Sequence, residues 1–284
     1  MSSTVRLKVP KTIKLYINGQ FPRTESGRSY PIYFHGQKEV YANACLGSRK
    51  DVRAAVEAAK KALPGWCHKT AFLRSQILYR MAEMTESKRL ELAAALVDTL
   101  GLAPEKADQS VEEAIATFIY YAGFADKFSQ VIGSINPVAG PYHNFTAPEP
   151  VGIVGIIGDS KFDFVKIVDQ ISSVICSGNT AVVLLGKPGA VILASLAEVF
   201  ATSDLPAGVV NLISGDTDEL YPHLGGHMEV HSVTYLGDDK KLTSELKILS
   251  IENMKRVIVS GQLKSLDSIV NFTEYKTVWH PVGL

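Results

Sequence analysis

From about position 150 onward, short unbroken apolar runs alternate with longer stretches in which apolar residues return every three or four positions. The runs predict strands at 151–157, 180–185, 208–214, 231–236 and 256–260, and the stretches between them predict helices at roughly 163–177, 189–203, 216–225 and 239–248. Runs as continuous as "AVVLL" suit strands covered on both faces, the condition of a parallel sheet. Strand–helix alternation then implies right-handed crossovers, and so an α/β, Rossmann-like, doubly wound parallel sheet over 150–270.

The first half is patterned differently. Asn18-Gly19 between apolar residues predicts a hairpin turn, and "YPIYF" and "EVYANA" read as further short strands. Ser48 with Asp51 resembles a capping box opening the alanine-rich helix "VRAAVEAAKKAL". Leu73, Ile77, Met81 and Met84 keep helical spacing, and Ser110 with Glu113 predicts a second box ahead of Val111, Ile115, Phe118 and Ile119. Residues 1–141 thus read as hairpin strands followed by three or four helices. Prolines and glycines cluster in "INPVAGPYHNFTAPEPVG", where the pattern changes.

Composition narrows the partners. The 29 basic and 29 acidic side chains balance, which points to neither a nucleic acid nor an acidic membrane surface. No apolar run approaches the roughly 18–20 residues of a membrane span, and "MSSTVRLKVPK" lacks a signal peptide's apolar core. Cys45, Cys67 and Cys176 are scattered, as in a reducing compartment, so the expected location is cytoplasmic and the sequons at Asn144 and Asn271 read as chance.

Several segments, in order, resemble the aldehyde dehydrogenase superfamily. "LYINGQF" looks like its opening hairpin, "SRKDVRAAVEAAKKALPGW" like its first helix, and "YYAGFADKF" like the helix before its oligomerisation strand. "EPVGIVGIIG", "SGNTAVV" and "LPAGVVNLISG" resemble the first three strands of its cofactor domain, and "NMKRVIV" the strand that carries its general base. "NFTEYKTVW" looks like its closing strand. The resemblance implies that 142–149 and 271–284 form a small oligomerisation ribbon. It also implies that the catalytic domain, on the order of 150–200 residues, is absent between Ser260 and the tail. The shortened C-terminal unit of the family-16 aldehyde dehydrogenases lacks this domain in the same way.

The family's chemistry needs a cysteine nucleophile, an oxyanion-hole asparagine and a glutamate base. In register with the family, Phe162 is kept, but Lys161 takes the asparagine position, Ser160 the usual tryptophan and Ser260 the glutamate; the nucleophile's domain is missing. Asp159 and Asp163 are expected to compete for the Lys161 charge. Leu184 and Lys187 stand where a ribose-binding lysine and a glutamate are expected, and Gly237-Asp238 where a glycine-serine turn approaches the pyrophosphate. Gly237 keeps backbone freedom, whereas Asp238 brings a negative charge. No catalytic residue and no cofactor are expected, with NAD at most weakly held.

Other chemistries are thinner. His223, His227 and His231 are four apart, but Gly225 and Gly226 interrupt a shared helix face, so no metal is expected. Cys176 reads as a small buried residue, and Cys67 has only His68 beside it. The leading reading is a non-catalytic, pseudoenzyme module of assembly or regulation. Its C-terminal strand would pair with another copy or a full aldehyde dehydrogenase unit, and Pro281 would stop that strand just after Trp279. The alternatives are a subunit of an NAD(P)-dependent oxidoreductase acting on aldehydes, and a small-anion binder around Lys161 and Lys187.

Overall fold

The computed structural model describes residues 10–259 and 262–283. Three strands open it, β1 (Lys11–Ile13), β2 (Ser29–Tyr33) and β3 (Val40–Cys45), in the order β1-β3-β2. The Asn18-Gly19 turn is present, both residues at positive φ, but its flanks shrink to single bridges, because Tyr16 pairs with Leu212 of the central sheet instead. Four long helices follow: α1 (Arg49–Cys67), α2 (Ala71–Ser87), α3 (Arg89–Leu100) and α4 (Pro104–Phe124), then a short α5 (Phe128–Ile132). The Ser48–Asp51 capping box forms as expected, and Asp51 also accepts from the Thr24 hydroxyl at 2.6 Å. The second box does not. Pro104, pre-set for a first helical turn, starts α4 earlier, and Ser110 sits inside it donating to the Lys106 carbonyl.

The core is a parallel five-stranded sheet. Its strands are β5 (Ile153–Ile157), β6 (Thr180–Leu184), β7 (Val210–Ile213), β8 (Ser232–Tyr235) and β9 (Arg256–Val259), ordered β7-β6-β5-β8-β9. Connecting helices are α6 (Phe164–Cys176), α7 (Gly186–Ala201), α8 (Thr217–Gly225) and α9 (Lys240–Leu249), with α10 (Leu266–Val270) after β9. α7 begins before the expected 189, because Gly186, at φ +69, turns the chain straight out of β6. Strand residues alternate between two cores. Val154, Ile156, Ala181 and Val183 pack with α2, α4, α6 and α7, while Ile153, Ile157, Val182 and Leu184 pack with α1, α8 and α9. The expected doubly wound, Rossmann-like sheet is therefore the structure observed.

β4 (Tyr142–Pro150) and β10 (Thr273–Pro281) form a separate antiparallel ribbon, in register from Thr273 opposite Pro150 to Pro281 opposite Tyr142. Pairing thus runs through Pro281 rather than stopping at Trp279. Val282 N–H donates to Pro141, so Pro281 falls on the alternate position whose nitrogen points away from β4, where the missing N–H is harmless.

One buried cation ties the helical layer to the sheet. Arg74 donates to the carbonyls of Cys176 (3.1 Å), the last residue of α6, and Lys69 (2.7 Å), two residues past the end of α1. Burial lowers its pKa, and helix-end carbonyls, the negative poles of two helices, are its counter-charge. Trp66 adds a bond from its indole N–H to the Ile175 carbonyl. Arg74→Ala is expected to destabilise the protein by about 2–4 kcal/mol, since it orphans buried carbonyls as well as removing packing. Urea unfolding checks this as a lowered midpoint at unchanged slope.

Candidate functional site

In an open α/β sheet the usable crevice lies beyond the C-terminal strand ends, where successive connections leave in opposite directions. Here the chain runs β5 to β6 to β7 on one side and returns to β8 on the other, so that point lies between β5 and β8. Two adjoining cavities occur there, of ≈ 380 and ≈ 360 Å³. Gly158, Asp159, Lys161 and Asp238 line both. The first also takes in Phe162, Asp163, Lys166 and Gly237, and the second Lys187, Asp216, Asp218, Tyr235 and Asp239.

The structure gathers Lys161, Lys187, Gly237 and Asp238, with Gly237 in the first cavity and Lys187 in the second. Leu184 is different: it is buried in the core and lines neither cavity. Ser260 lies outside the described residues. Lys161 does not pair with Asp159 or Asp163. Its nearest carboxylate is Asp238, at 4.0 Å, with both side chains almost fully exposed. Asp163 is engaged in capping α6, accepting from Lys166 N–H at 3.1 Å. Lys187 forms an ion pair with Asp216, which holds that carboxyl below its ordinary range.

Asp159 is the most constrained group. Its Oδ1 accepts from Ser160 N–H at 2.6 Å, from the Ser160 hydroxyl at 3.2 Å and from the Tyr235 hydroxyl at 3.1 Å. Burial first, and the Asp159 charge second, push the Tyr235 pKa up to about 12, so the phenol stays a donor. Gly237 is not at positive φ, so space rather than backbone freedom requires it. A Cβ there would lie 2.3 Å from the Tyr235 hydroxyl and 2.7 Å from the Asp159 carboxyl carbon.

Helix N-termini facing such a crevice ordinarily attract anions. Three of them here already hold a carboxylate of the chain: Asp163 caps α6, Asp216 caps α8 and Asp239 caps α9. Sequence reasoning missed Asp216, Asp239 and Tyr235. The Gly215-Asp216 and Asp238-Asp239 pairs ahead of helical patterns were signals for the caps. Nothing local marks Tyr235, whose role depends on β8 lying beside β5.

The aldehyde dehydrogenase family profile matches residues 22–266. The chain belongs to that family. It is 30% identical over 247 residues to a mitochondrial benzaldehyde dehydrogenase of Antirrhinum majus, an alignment covering 86% of this chain and 46% of the relative. To human aldehyde dehydrogenase 1A1 it is 28% identical over 289 residues, covering 96% of this chain and 56% of the relative. The chain therefore spans about half the length of the curated relatives it matches. Among solved structures, an aldehyde dehydrogenase from Bacillus cereus determined with NAD+ superposes with a TM-score of 0.82 at 28% identity, over 88% of this chain and 50% of that one. An NAD-dependent family member from Sinorhizobium meliloti gives 0.83 at 25% identity, over 91% and 52%.

The remaining candidates resolve simply. Cys45 and Cys176 are buried, and burial pushes the Cys176 thiol up to about 12, far from a thiolate. Cys67 Sγ lies 3.2 Å from His68 Nδ1, but that nitrogen is 2.7 Å from the Pro64 carbonyl and must carry a proton to donate there, so it cannot take one from the thiol. No cluster of metal-ligating side chains occurs among the described residues, nor any helix long and apolar enough to cross a membrane.

His227 and His231 instead accept backbone amides at Nδ1, from Glu229 (3.2 Å) and Ile153 (3.0 Å). Burial lowers both pKa values below the ordinary histidine value. As pH falls below about 6.5, the unfolded chain therefore takes up protons before the folded one does, and stability is lost. Urea midpoints between about pH 5 and 7 are expected to fall with acidification. This dependence on pH should flatten in a His227→Gln, His231→Gln double variant, which lacks both of these half-buried imidazoles.

Proposed function

We propose that this chain is a non-catalytic aldehyde dehydrogenase-like module acting in assembly or regulation, similar to the shortened C-terminal unit of the family-16 members. One observation carries the reading. The crevice that would take a dinucleotide is lined by six aspartates, Asp159, Asp163, Asp216, Asp218, Asp238 and Asp239, against three lysines, Lys161, Lys166 and Lys187. A pyrophosphate entering it meets like charge and helix N-termini that are already capped. Leu184, buried and apolar, offers a ribose nothing to bond. The residues present do not fit NAD, and no step through that cofactor is assigned to them. Lys161, exposed beside Asp238, has no fixed direction in which to stabilise an oxyanion.

The surface left to act is the ribbon. Every residue of β10 after Thr273 is exposed, including Tyr275, Val278 and Trp279. An isolated two-stranded ribbon is marginal in water, so a covering partner would stabilise it. The outer edge of β4 is partly met by Ser134, which exchanges backbone bonds with Thr146. The outer edge of β10 is the open template, and a strand from a second copy or from a full aldehyde dehydrogenase unit is the partner that fits.

Two measurements test this. Calorimetric titration with NAD+ and NADH should give no binding up to millimolar cofactor. Micromolar binding would instead put an NAD(P)-dependent oxidoreductase subunit first, a reading favoured by the fold's likeness to the NAD+-bound Bacillus cereus enzyme. Light scattering should find the chain associated with itself or with a co-purified aldehyde dehydrogenase, and Val278→Asp, Trp279→Asp should release it. A monomeric wild-type chain that captures no such unit would end the assembly reading.

A further inference from the structure

The crevice at the β5/β8 switch point is not merely acidic; it is crossed. Asp159 leaves the end of β5 and Tyr235 ends β8, and their side chains meet at 3.1 Å over the gap between the two strands. The Asp159 carboxylate takes the Ser160 backbone N–H at 2.6 Å, the kind of donor that a ligand phosphate takes at such a turn. Two further features fix the strap. Gly158 N–H donates to the Leu184 carbonyl at 2.7 Å, pinning the loop to the end of β6. Gly237 leaves room for both partners, since a side chain there would collide with the phenol and the carboxylate together. Gly158, Asp159, Lys161 and Asp238 are common to both cavities, and of these side chains Asp159 is the one hydrogen-bonded to Tyr235, which lines the second.

We infer that the Asp159 carboxylate, held across the strand gap by Tyr235, is the determinant that closes this crevice to phosphate-bearing ligands, serving as a built-in anion in the place of a bound one. This rests on the reading of the crevice as one without a dinucleotide. Asp238 contributes charge only. It is nearly fully exposed, and its one near cation, Lys161, is 4.0 Å away. Asp159 contributes charge and also occupies donors: the Ser160 N–H and hydroxyl and the Tyr235 hydroxyl.

The two contributions separate experimentally. The probes are inorganic pyrophosphate and NAD+, titrated by calorimetry into the full chain and three variants, each checked for native circular dichroism and melting temperature. Asp238→Ser keeps the bridge and should bind no better than wild type. Asp159→Ala, Asp238→Ser frees those donors and should bind pyrophosphate about tenfold tighter or more, the scale on which removing a like charge acts. Tyr235→Phe keeps the charge but frees the carboxylate. It should leave binding absent while speeding amide exchange at residues 158–163.

A folded double variant as blind to pyrophosphate as wild type would overturn the inference and leave the wider reading standing. So would Asp238→Ser alone gaining as much as the double variant. Wild-type protein that binds NAD+ at micromolar concentration would overturn both.

Discussion

The central position of β5 sets most of what this protein can do. Bonded to β6 on one side and β8 on the other, β5 forces the loop after Ile157 and the end of β8 to emerge side by side. In an open α/β sheet that juxtaposition makes the crevice, and the residues at the two strand ends decide what enters. Here they are a carboxylate and a phenol that bond to each other. The same constraint explains Gly237, which follows β8 by two residues and has the bridge where a side chain would go.

Polar groups buried around the sheet show how the fold holds its shape without using this crevice. Arg74 stitches the ends of α1 and α6. Asn179 accepts from Gly152 N–H and donates to the Phe272 carbonyl, joining the entry of β5 to the start of the ribbon. Asp169 accepts from Lys264 N–H and from Tyr121, holding the segment after β9 against α4 and α6, and burial raises its pKa. Each satisfies backbone groups that would otherwise be orphaned in the core. All lie away from the Asp159–Tyr235 bridge, which is why its removal is expected to alter binding with the fold intact.

Legibility in the sequence followed the range of the interaction. The five strands and their helices were readable because continuous apolar runs bounded by loops report burial on both faces, a local property. The Ser48–Asp51 box was readable for the same reason. The Ser110–Glu113 box was misread because its spacing is also met inside a helix, and Pro104 was the stronger start signal. The sequence around Tyr16 reads as a hairpin because nothing near it announces Leu212. At the site, Lys161, Lys187, Gly237 and Asp238 could be placed through the register of the family resemblance. The bridge could not, since it joins residues 76 apart in the chain.

The ribbon and the crevice then pose opposite physical problems. Closing the crevice needs only groups the chain already owns: aspartates at three helix starts and one carboxylate bridged to a tyrosine. The ribbon's requirement is not met within the described residues, for its closing strand exposes Tyr275, Val278 and Trp279 along nine residues paired on one edge. On the proposed reading, a paired strand with an open edge and large side chains left in water would gain stability from another strand, whereas a capped, ion-paired crevice would gain little from a cofactor. If that reading holds, the ribbon rather than the crevice is where binding would add most to this fold's stability.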